Sequence, residues 1–120
     1  MTTRQQIFSA SPYESQFGFC RATKIGNIIF VAGTAPIGTD GRTVGVGDPA
    51  AQARRCFDII GESLEALGAS YADVTRTRMF LTRITDWSVI GSVHGEYFHQ
   101  INPVSTMVEV SRLIDPDWLV

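Results

Sequence analysis

The sequence predicts an α+β fold, in which a β-hairpin is followed by two helices that alternate with strands. Three observations support this class. A two-residue turn signal separates two β-prone runs, a strongly periodic helix carries its own start and stop signals, and later runs are rich in β-branched residues. With 120 residues and no repeat or linker, we expect residues 1–120 to form one domain.

The hairpin is predicted where Gly26-Asn27 separates Arg21–Ile25 from Ile28–Ala32. Glycine and asparagine accept the positive φ that such a turn requires. The second run is apolar without alternation, which is typical of a strand buried on both faces. We therefore expect both faces of the second strand to be covered.

The first helix is predicted to begin at Asp48, which can cap it, and Pro49, which fits the first helical position. Gly68 is a suitable stop. Between them, apolar residues recur at three- and four-residue spacing, as expected for one buried helix face. These residues are Ala53, Cys56, Phe57, Ile60, Leu64 and Leu67.

The second half of the chain predicts a strand over Val74–Thr82, a helix capped by Asp86 and ended by Pro103, and a strand over Thr106–Val110. Trp118–Val120 is predicted to begin a last strand. Two interior glycines in the second helix indicate close packing or an approach by another group, because each costs about 1 kcal/mol relative to alanine. Its apolar stripe is Trp87, Ile90, Val93, Tyr97, Phe98 and Ile101.

Two helices can cover only one face of such a sheet, whereas Ile28–Ala32 is apolar on both sides. Something must cover the second face. Self-association is the most economical answer, and closed symmetric oligomers are its common form.

Composition and motifs narrow the function. A net charge of −2 and a pI near 5.6 argue against nucleic-acid binding. The sequence shows no phosphate loop, nucleophile elbow or metal-ligand spacing, so we expect no cofactor and no metal. It shows neither a signal core nor the ~20 apolar residues of a membrane span. We expect a cytoplasmic protein without membrane contact, in which Cys20 and Cys56 are reduced thiols.

The ordered set of motifs resembles the YjgF/RidA family. The matching segments are Ile25–Gly33, Ala51–Arg54, Val74–Thr82 and Met107–Leu113, and the similarity runs in register from about Phe8 to the last residue. The resemblance implies a chorismate-mutase-like mixed sheet with two helices on one face. It also implies a homotrimer with a central β-barrel and small-molecule clefts at the subunit boundaries.

The family activity that the resemblance implies is hydrolysis of reactive enamines and imines to 2-keto acids and ammonia, without a metal or cofactor. In such a site an arginine binds the substrate carboxylate through two parallel bonds. A carboxylate of the final strand helps to orient the attacking water. We expect that strand, with its acid, to continue beyond Val120.

The resemblance also implies which residues line the cleft. Ser105 stands where the deaminases have arginine, Met107 where they have cysteine, and Phe19 where they have tyrosine. Ala32 replaces a serine and Gly91 an asparagine, whereas the cleft glycine is kept. Serine cannot form the bidentate carboxylate contact, a loss of roughly 1.5–3 kcal/mol. We therefore expect substrates other than the usual 2-imino acids. The aligned binding residues are Phe19, Gly33, Gly91, Ser105 and Met107.

Other charged residues are candidates with two interpretations each. Arg21 could supply the missing positive charge at the cleft or could be a surface arginine, and the two are evenly balanced. Arg76 and Arg78 share one strand face, where salt bridges at a subunit interface are favoured over anion binding. Glu109 could orient water, but pairing with Arg76, Arg78 or Arg112 is favoured.

The histidines are weighed in the same way. His94 could be an acid or base, although partial burial near Trp87 and Ile90 is favoured. His99 suits the C-terminal end of the second helix as a cation.

Three functions remain open. The first is hydrolysis of an enamine, imine or related reactive small molecule that lacks the usual carboxylate recognition. The second is a non-catalytic small-molecule binder or sensor, supported by the loss of most polar cleft residues. The third is a ribonuclease or translation inhibitor, against which the acidic pI counts.

Overall fold

The computed structural model of the chain describes residues 3–9 and 11–120. Five strands and three helices alternate along these residues, and two short 3-10 turns, Tyr71–Asp73 and Ile84–Asp86, precede β4 and α3. In chain order the main elements are β1 (Arg4–Ile7), α1 (Pro12–Phe17), β2 (Ala22–Ile25), β3 (Ile28–Val31), α2 (Pro49–Ala66), β4 (Arg76–Leu81), α3 (Trp87–Phe98) and β5 (Val104–Glu109).

The first sheet is antiparallel, in the order β1-β2-β3. The predicted hairpin is confirmed: Ile25 pairs with Ile28 across a turn in which Gly26 has a φ of 58°. Strand β1 and the short helix α1, which Ser11 caps, were not predicted. The residues of β1 are mostly polar and exposed, so the strand gives no hydrophobic pattern.

Helix α2 follows its sequence signals closely. The Asp48 carboxylate accepts from the Ala51 backbone N–H at 3.1 Å, and Pro49 is the first helical residue. Gly68, just beyond the helix, has a φ of 84°, a conformation that favours glycine.

The second sheet is the parallel pair β4-β5, with α3 as the connection between its strands. Thr77 lies opposite Ser105, and Met79 lies opposite Met107. Antiparallel and parallel pairing therefore both occur, as the predicted mixed α+β fold requires. The described strands form two hydrogen-bonded sheets, rather than one continuous sheet.

The core lies between the two long helices and β4. Each element contributes one face, as the period-3.6 stripe of α2 and the alternation of β4 require. Gln52 of α2 is fully buried beside the core. The buried core residues are Ala53, Phe57, Met79, Leu81, Ile90, Val93 and Phe98.

The opposite face of both sheets is open in the single chain, and we call it the outer face. Ile28 and Phe30 are 56% and 59% exposed, so one chain covers only one face of β3, and coverage of the other face by a second copy stays a prediction. The side chains of β3 alternate between exposed and partly buried positions, but the exposed ones are as apolar as the others. Further exposed apolar residues of β4 and β5 are Phe80, Val104 and Val108.

Helix α3 departs from its predicted limits. Asp86 makes no side-chain cap and instead accepts from Arg83 Nε at 3.0 Å. Trp87 is 60% exposed, so it does not belong to the buried stripe. The helix ends at Phe98, before Pro103. A turn then leads into β5, in which Gln100 and Asn102 have φ values of 72° and 53°.

The last residues lie against the helical side of the chain. No strand forms at Trp118–Val120, contrary to the prediction, although the Leu119 carbonyl accepts from the Thr82 backbone N–H at 3.1 Å. None of the helices described is both long and apolar enough to cross a membrane.

Candidate functional site

The predicted site residues fall into two separate groups in the chain. Over residues 3–9 and 11–120, no hydrogen bond or ion pair joins one group to the other. The hairpin group is Phe19, Arg21 and Gly33; the β5 group is Gly91, His94, Ser105 and Met107.

In the hairpin group, the guanidinium of Arg21 donates to the carbonyl of Gly33. The Arg21 backbone is held on both sides, because its N–H donates to Ile7 and its carbonyl accepts from Ala32. The side chain is partly buried, and burial lowers the pKa of Arg21, partly offset by Glu14. Within the described ranges its Nε is buried without a partner. Arg21 is thus more than a surface arginine, since its guanidinium is anchored to the hairpin backbone at Gly33.

Phe19 and Ala32 border an open depression of about 300 Å³ beside β2 and β3. Phe30 and Val31 add apolar surface, and Gln6 adds an amide. The phenyl ring of Phe19 is 43% exposed. At positions 19 and 32, where the resemblance implies a tyrosine and a serine, the depression is bordered by side chains without a hydroxyl.

In the β5 group, three side chains form a continuous hydrogen-bonded chain. His94 Nε2 lies 2.8 Å from Thr77 Oγ1, and Thr77 Oγ1 lies 2.8 Å from Ser105 Oγ. His94 projects from α3 onto β4, where Thr77 pairs directly with Ser105 of β5. The chain begins at a half-buried imidazole and ends at an exposed hydroxyl.

The imidazole of His94 packs between aromatic rings. Its centroid lies 5.7 Å from that of Phe57, edge-on, and 4.6 Å from that of Phe98. These neighbours replace Trp87, which points into solvent. Burial alone lowers the pKa of His94. The ring is therefore neutral near pH 7, with one nitrogen that donates and one that accepts.

Gly91 faces Met107 across the gap between α3 and β5. A Cβ on Gly91 would lie 3.9 Å from Met107 Cε, an ordinary contact, and a Cβ on Gly95 would meet nothing within 4 Å. The close packing suggested for these glycines is therefore not found at Gly95. At Gly91 a methyl group would make no contact closer than this one to Met107.

The remaining charged candidates have other partners. The Glu109 carboxylate accepts from the Ile84 backbone N–H at 2.9 Å, so neither the predicted arginine pairing nor a free carboxylate is found. Arg76 and Arg78 lie on the outer face, and neither forms an ion pair with the residues that the structure describes. His99 follows α3 as its C-cap, as expected. The described part of the chain holds no cluster of three or more metal-ligating side chains.

Thr77 is the site residue that the sequence did not reveal. The alternation of β4 predicts that it faces away from Arg76 and Arg78, toward the helices. Its partners could not be predicted, because they depend on the register of β4 against β5 and on the position of α3.

These features agree with the architecture of the YjgF/RidA class. They are an α+β chain with an open apolar outer face, a glycine at the hairpin and exposed uncharged groups on β5. The chain belongs to this family: the sequence profile described as endoribonuclease L-PSP matches residues 9–120. The resemblance of the motifs is thereby confirmed.

Two curated relatives carry names from the same group. The RutC family protein PYRAB12510 of Pyrococcus abyssi is 38% identical, over 92% of this chain and 87% of its own length. The 3-aminoacrylate deaminase RutC of Acinetobacter baylyi is also 38% identical, over 82% of this chain and 78% of its own. At these identities and coverages, both relatives belong to the same family as this chain.

Solved structures confirm the fold class. Rv2704 of Mycobacterium tuberculosis, a member of the YjgF/YER057c/UK114 family, superposes with a TM-score of 0.88 at 41% identity, covering 98% of this chain and 92% of its own. The yeast protein YEO7 superposes with a TM-score of 0.82 at 26% identity, covering 93% and 89%.

Proposed function

We propose that the protein is a cofactor-independent hydrolase that deaminates enamines or imines in which no carboxylate is attached to the carbon bearing nitrogen. Family membership and the similarity to a 3-aminoacrylate deaminase support the reaction class. In 3-aminoacrylate the nitrogen and the carboxylate are on different carbons. A substrate of this kind has no carboxylate on the carbon that water attacks, which is where 2-imino acids would meet the arginine.

The observation that carries the proposal is the exposed, uncharged hydroxyl of Ser105 at the end of its hydrogen-bonded chain. A hydroxyl can bind a neutral nitrogen or a water molecule, but it cannot neutralise a carboxylate. Two residues further along β5, Met107 presents an apolar side chain toward Gly91 of α3. This combination favours a small substrate with one polar, hydrolysable C=N centre.

The proposal includes a homotrimer of single-domain copies whose outer faces pack into a central barrel. Support comes from the exposed apolar side chains of that face, among them Ile28, Phe30 and Phe80. Arg76 and Arg78 on the same face are then placed for salt bridges between copies. The clefts would bring the hairpin group of one copy to the β5 group of the next, which explains why one chain holds them apart.

The test compares wild type with Ser105→Arg on imines generated in place by an amino-acid or amine oxidase, with and without a carboxylate at the imine carbon. We expect wild type to prefer imines that lack this carboxylate. Ser105→Arg should shift the ratio of the two kcat/KM values toward 2-imino acids by about ten- to a hundredfold, the value of one charged hydrogen-bonding pair, whatever it does to the absolute rates. Ser111→Arg, at an exposed serine just beyond β5, is the matched control for added charge.

If neither protein accelerates hydrolysis of any imine in the panel, the hydrolase proposal is wrong. A thermal-shift screen with the same imines and their ketone products then tests the binder alternative. The loss of most polar cleft residues favours that alternative, because a ligand can be held by the depression at Phe19 without being transformed.

A further inference from the structure

The hydroxyl of Thr77 has one hydrogen but two close partners. It can donate to His94 Nε2 or to Ser105 Oγ, each 2.8 Å away, but not to both. If Nε2 carries no proton, Thr77 donates to it and Ser105 donates to Thr77. If Nε2 carries a proton, His94 donates to Thr77 and Thr77 donates to Ser105. The chain therefore has two arrangements of opposite direction.

The two arrangements give the exposed end opposite properties. In the first, the hydroxyl hydrogen of Ser105 is engaged by Thr77, so its free lone pairs accept from a ligand. In the second, Ser105 accepts from Thr77 and its hydrogen is free to donate. The protonation of His94 Nε2 thus determines whether the exposed Ser105 Oγ, two hydrogen bonds away, donates to a ligand or accepts from it.

We propose that His94, Thr77 and Ser105 form a proton relay, in which Ser105 contacts the attacking water and His94 holds the proton taken from it. This inference rests on the proposed function. Ser105 is the catalytic residue of the relay, since it alone touches the reacting groups. Thr77 and His94 act through it as positioning residues.

The steps balance for a protonated imine. The water oxygen bonds to the C=N carbon as the π electrons move to nitrogen. The water proton passes to Ser105, the Ser105 proton to Thr77 and the Thr77 proton to His94 Nε2. This leaves a neutral carbinolamine and an imidazolium. The relay then reverses and protonates the nitrogen, the C–N bond breaks, and the hydroxyl proton leaves with ammonia, giving a carbonyl and ammonium.

The surroundings of His94 suit this role because its facing neighbours carry no charge. Phe57 of α2 and Phe98 of α3 cover its ring, and Thr77 is its contact on β4. Nearby titratable groups are engaged elsewhere: Arg54 with Glu96, and Asp58 with the hydroxyl of Tyr97. Arg76 and Arg78 lie on the opposite face of β4, and Glu109 binds the Ile84 N–H.

The test is the pH dependence of kcat/KM for wild type, Thr77→Val and Thr77→Ser on the best imine of the panel. Valine keeps the shape of threonine but cannot pass a proton, whereas serine can. We expect wild-type activity to decrease at acidic pH, with a midpoint below 6.5, because a His94 that is already protonated cannot accept the proton of the attacking water. Thr77→Val should lose about a hundredfold in kcat, the lower range for general acid–base catalysis, and should lose this acidic limb.

Two further variants make the result specific. Thr77→Ser should restore most of the rate and the acidic limb. His94→Gln keeps a hydrogen-bonding side chain that does not titrate, so it should also abolish the limb. Thr75→Val, at an exposed threonine before β4, is the matched control and should behave as wild type.

The outcomes separate the two proposals. Activity in wild type with an unchanged acidic limb in both Thr77→Val and His94→Gln overturns the relay and leaves the hydrolase proposal standing. Absence of wild-type activity over the whole panel overturns both. Loss of the limb in both variants, with its return in Thr77→Ser, supports the relay.

Discussion

The phenol of Tyr71 occupies the space where a side chain on Gly61 would begin. A Cβ built on Gly61 would collide with the hydroxyl and ring of Tyr71. That hydroxyl donates to the Phe57 carbonyl at 2.7 Å, so the ring is fixed against α2 by a hydrogen bond as well as by packing. Gly61 is therefore required in the middle of the helix despite its low helix propensity.

Gly61→Ala should destabilise the protein by up to about 2 kcal/mol, because an overpacking cost of as much as about 3 kcal/mol is offset by the roughly 1 kcal/mol that alanine adds to helix stability. Gly95→Ala, in an open position of α3, is the matched control and should stabilise by up to about 1 kcal/mol. Denaturant unfolding measures both as shifts of the midpoint at constant slope. An unchanged midpoint for Gly61→Ala would contradict the packing described here.

Gln52 ties the end of the chain to α2. Its fully buried amide nitrogen donates to the carbonyls of Gly45 and Asp117, at 3.1 and 2.8 Å, and its oxygen accepts from the Leu119 N–H at 2.7 Å. Gln52→Leu removes these three part-buried bonds and leaves each backbone group with one partner fewer. The expected loss is roughly 2–4 kcal/mol, because each unsatisfied group costs about 1–3 kcal/mol and part is recovered by water.

Hydrogen exchange tests this more sharply than unfolding alone. In Gln52→Leu the Leu119 amide should exchange faster than it does in wild type, by more than the amides of the α2 core do. The reason is that the terminal segment opens locally. Gln16→Leu, on exposed α1, is the control and should change stability by less than about 0.5 kcal/mol. Unaltered exchange at Leu119 would show that other contacts hold the segment.

The two thiols should differ in reactivity. Burial raises the pKa of Cys56 to about 12, and its thiol donates to the Thr34 carbonyl at 3.4 Å. Against an ordinary value of 9.0, the three-unit difference means about a thousandfold less thiolate near pH 8. Cys20 is only partly buried. A disulfide reagent should label Cys20 first and Cys56 only on unfolding. The variants Cys20→Ala and Cys56→Ala assign the two labelling phases, because each variant should lack the phase of the thiol that it removes.

Features that depend on a few neighbouring residues were predictable. The turn at Gly26 and the start of α2 at Asp48 follow from backbone geometry that those residues select locally. Strand β1 was missed because its stability comes from pairing with β2 rather than from its own polar sequence. The Asp86 cap failed for a related reason, since Arg83 competes for the carboxylate.

The site was predictable only in part. Family resemblance located Ser105 and Gly33 but not what they contact. Thr77 enters the site through strand register, and Arg21 binds Gly33 across the hairpin. Both relationships join residues distant in sequence, which periodicity and propensity do not report.

The length of the turn between α3 and β5, in which Gln100 and Asn102 are left-handed, determines which residue of β5 lies opposite Thr77. One residue inserted there would bring Val104 to that place and end the hydrogen-bonded chain at a methyl group. One residue deleted would bring Thr106, and a hydroxyl would remain. A shorter turn in this chain would thus keep the terminal hydroxyl while every later residue of β5 changes sides, whereas a longer turn would remove it. The length of this turn therefore selects which of the side chains of β5 completes the hydrogen-bonded chain.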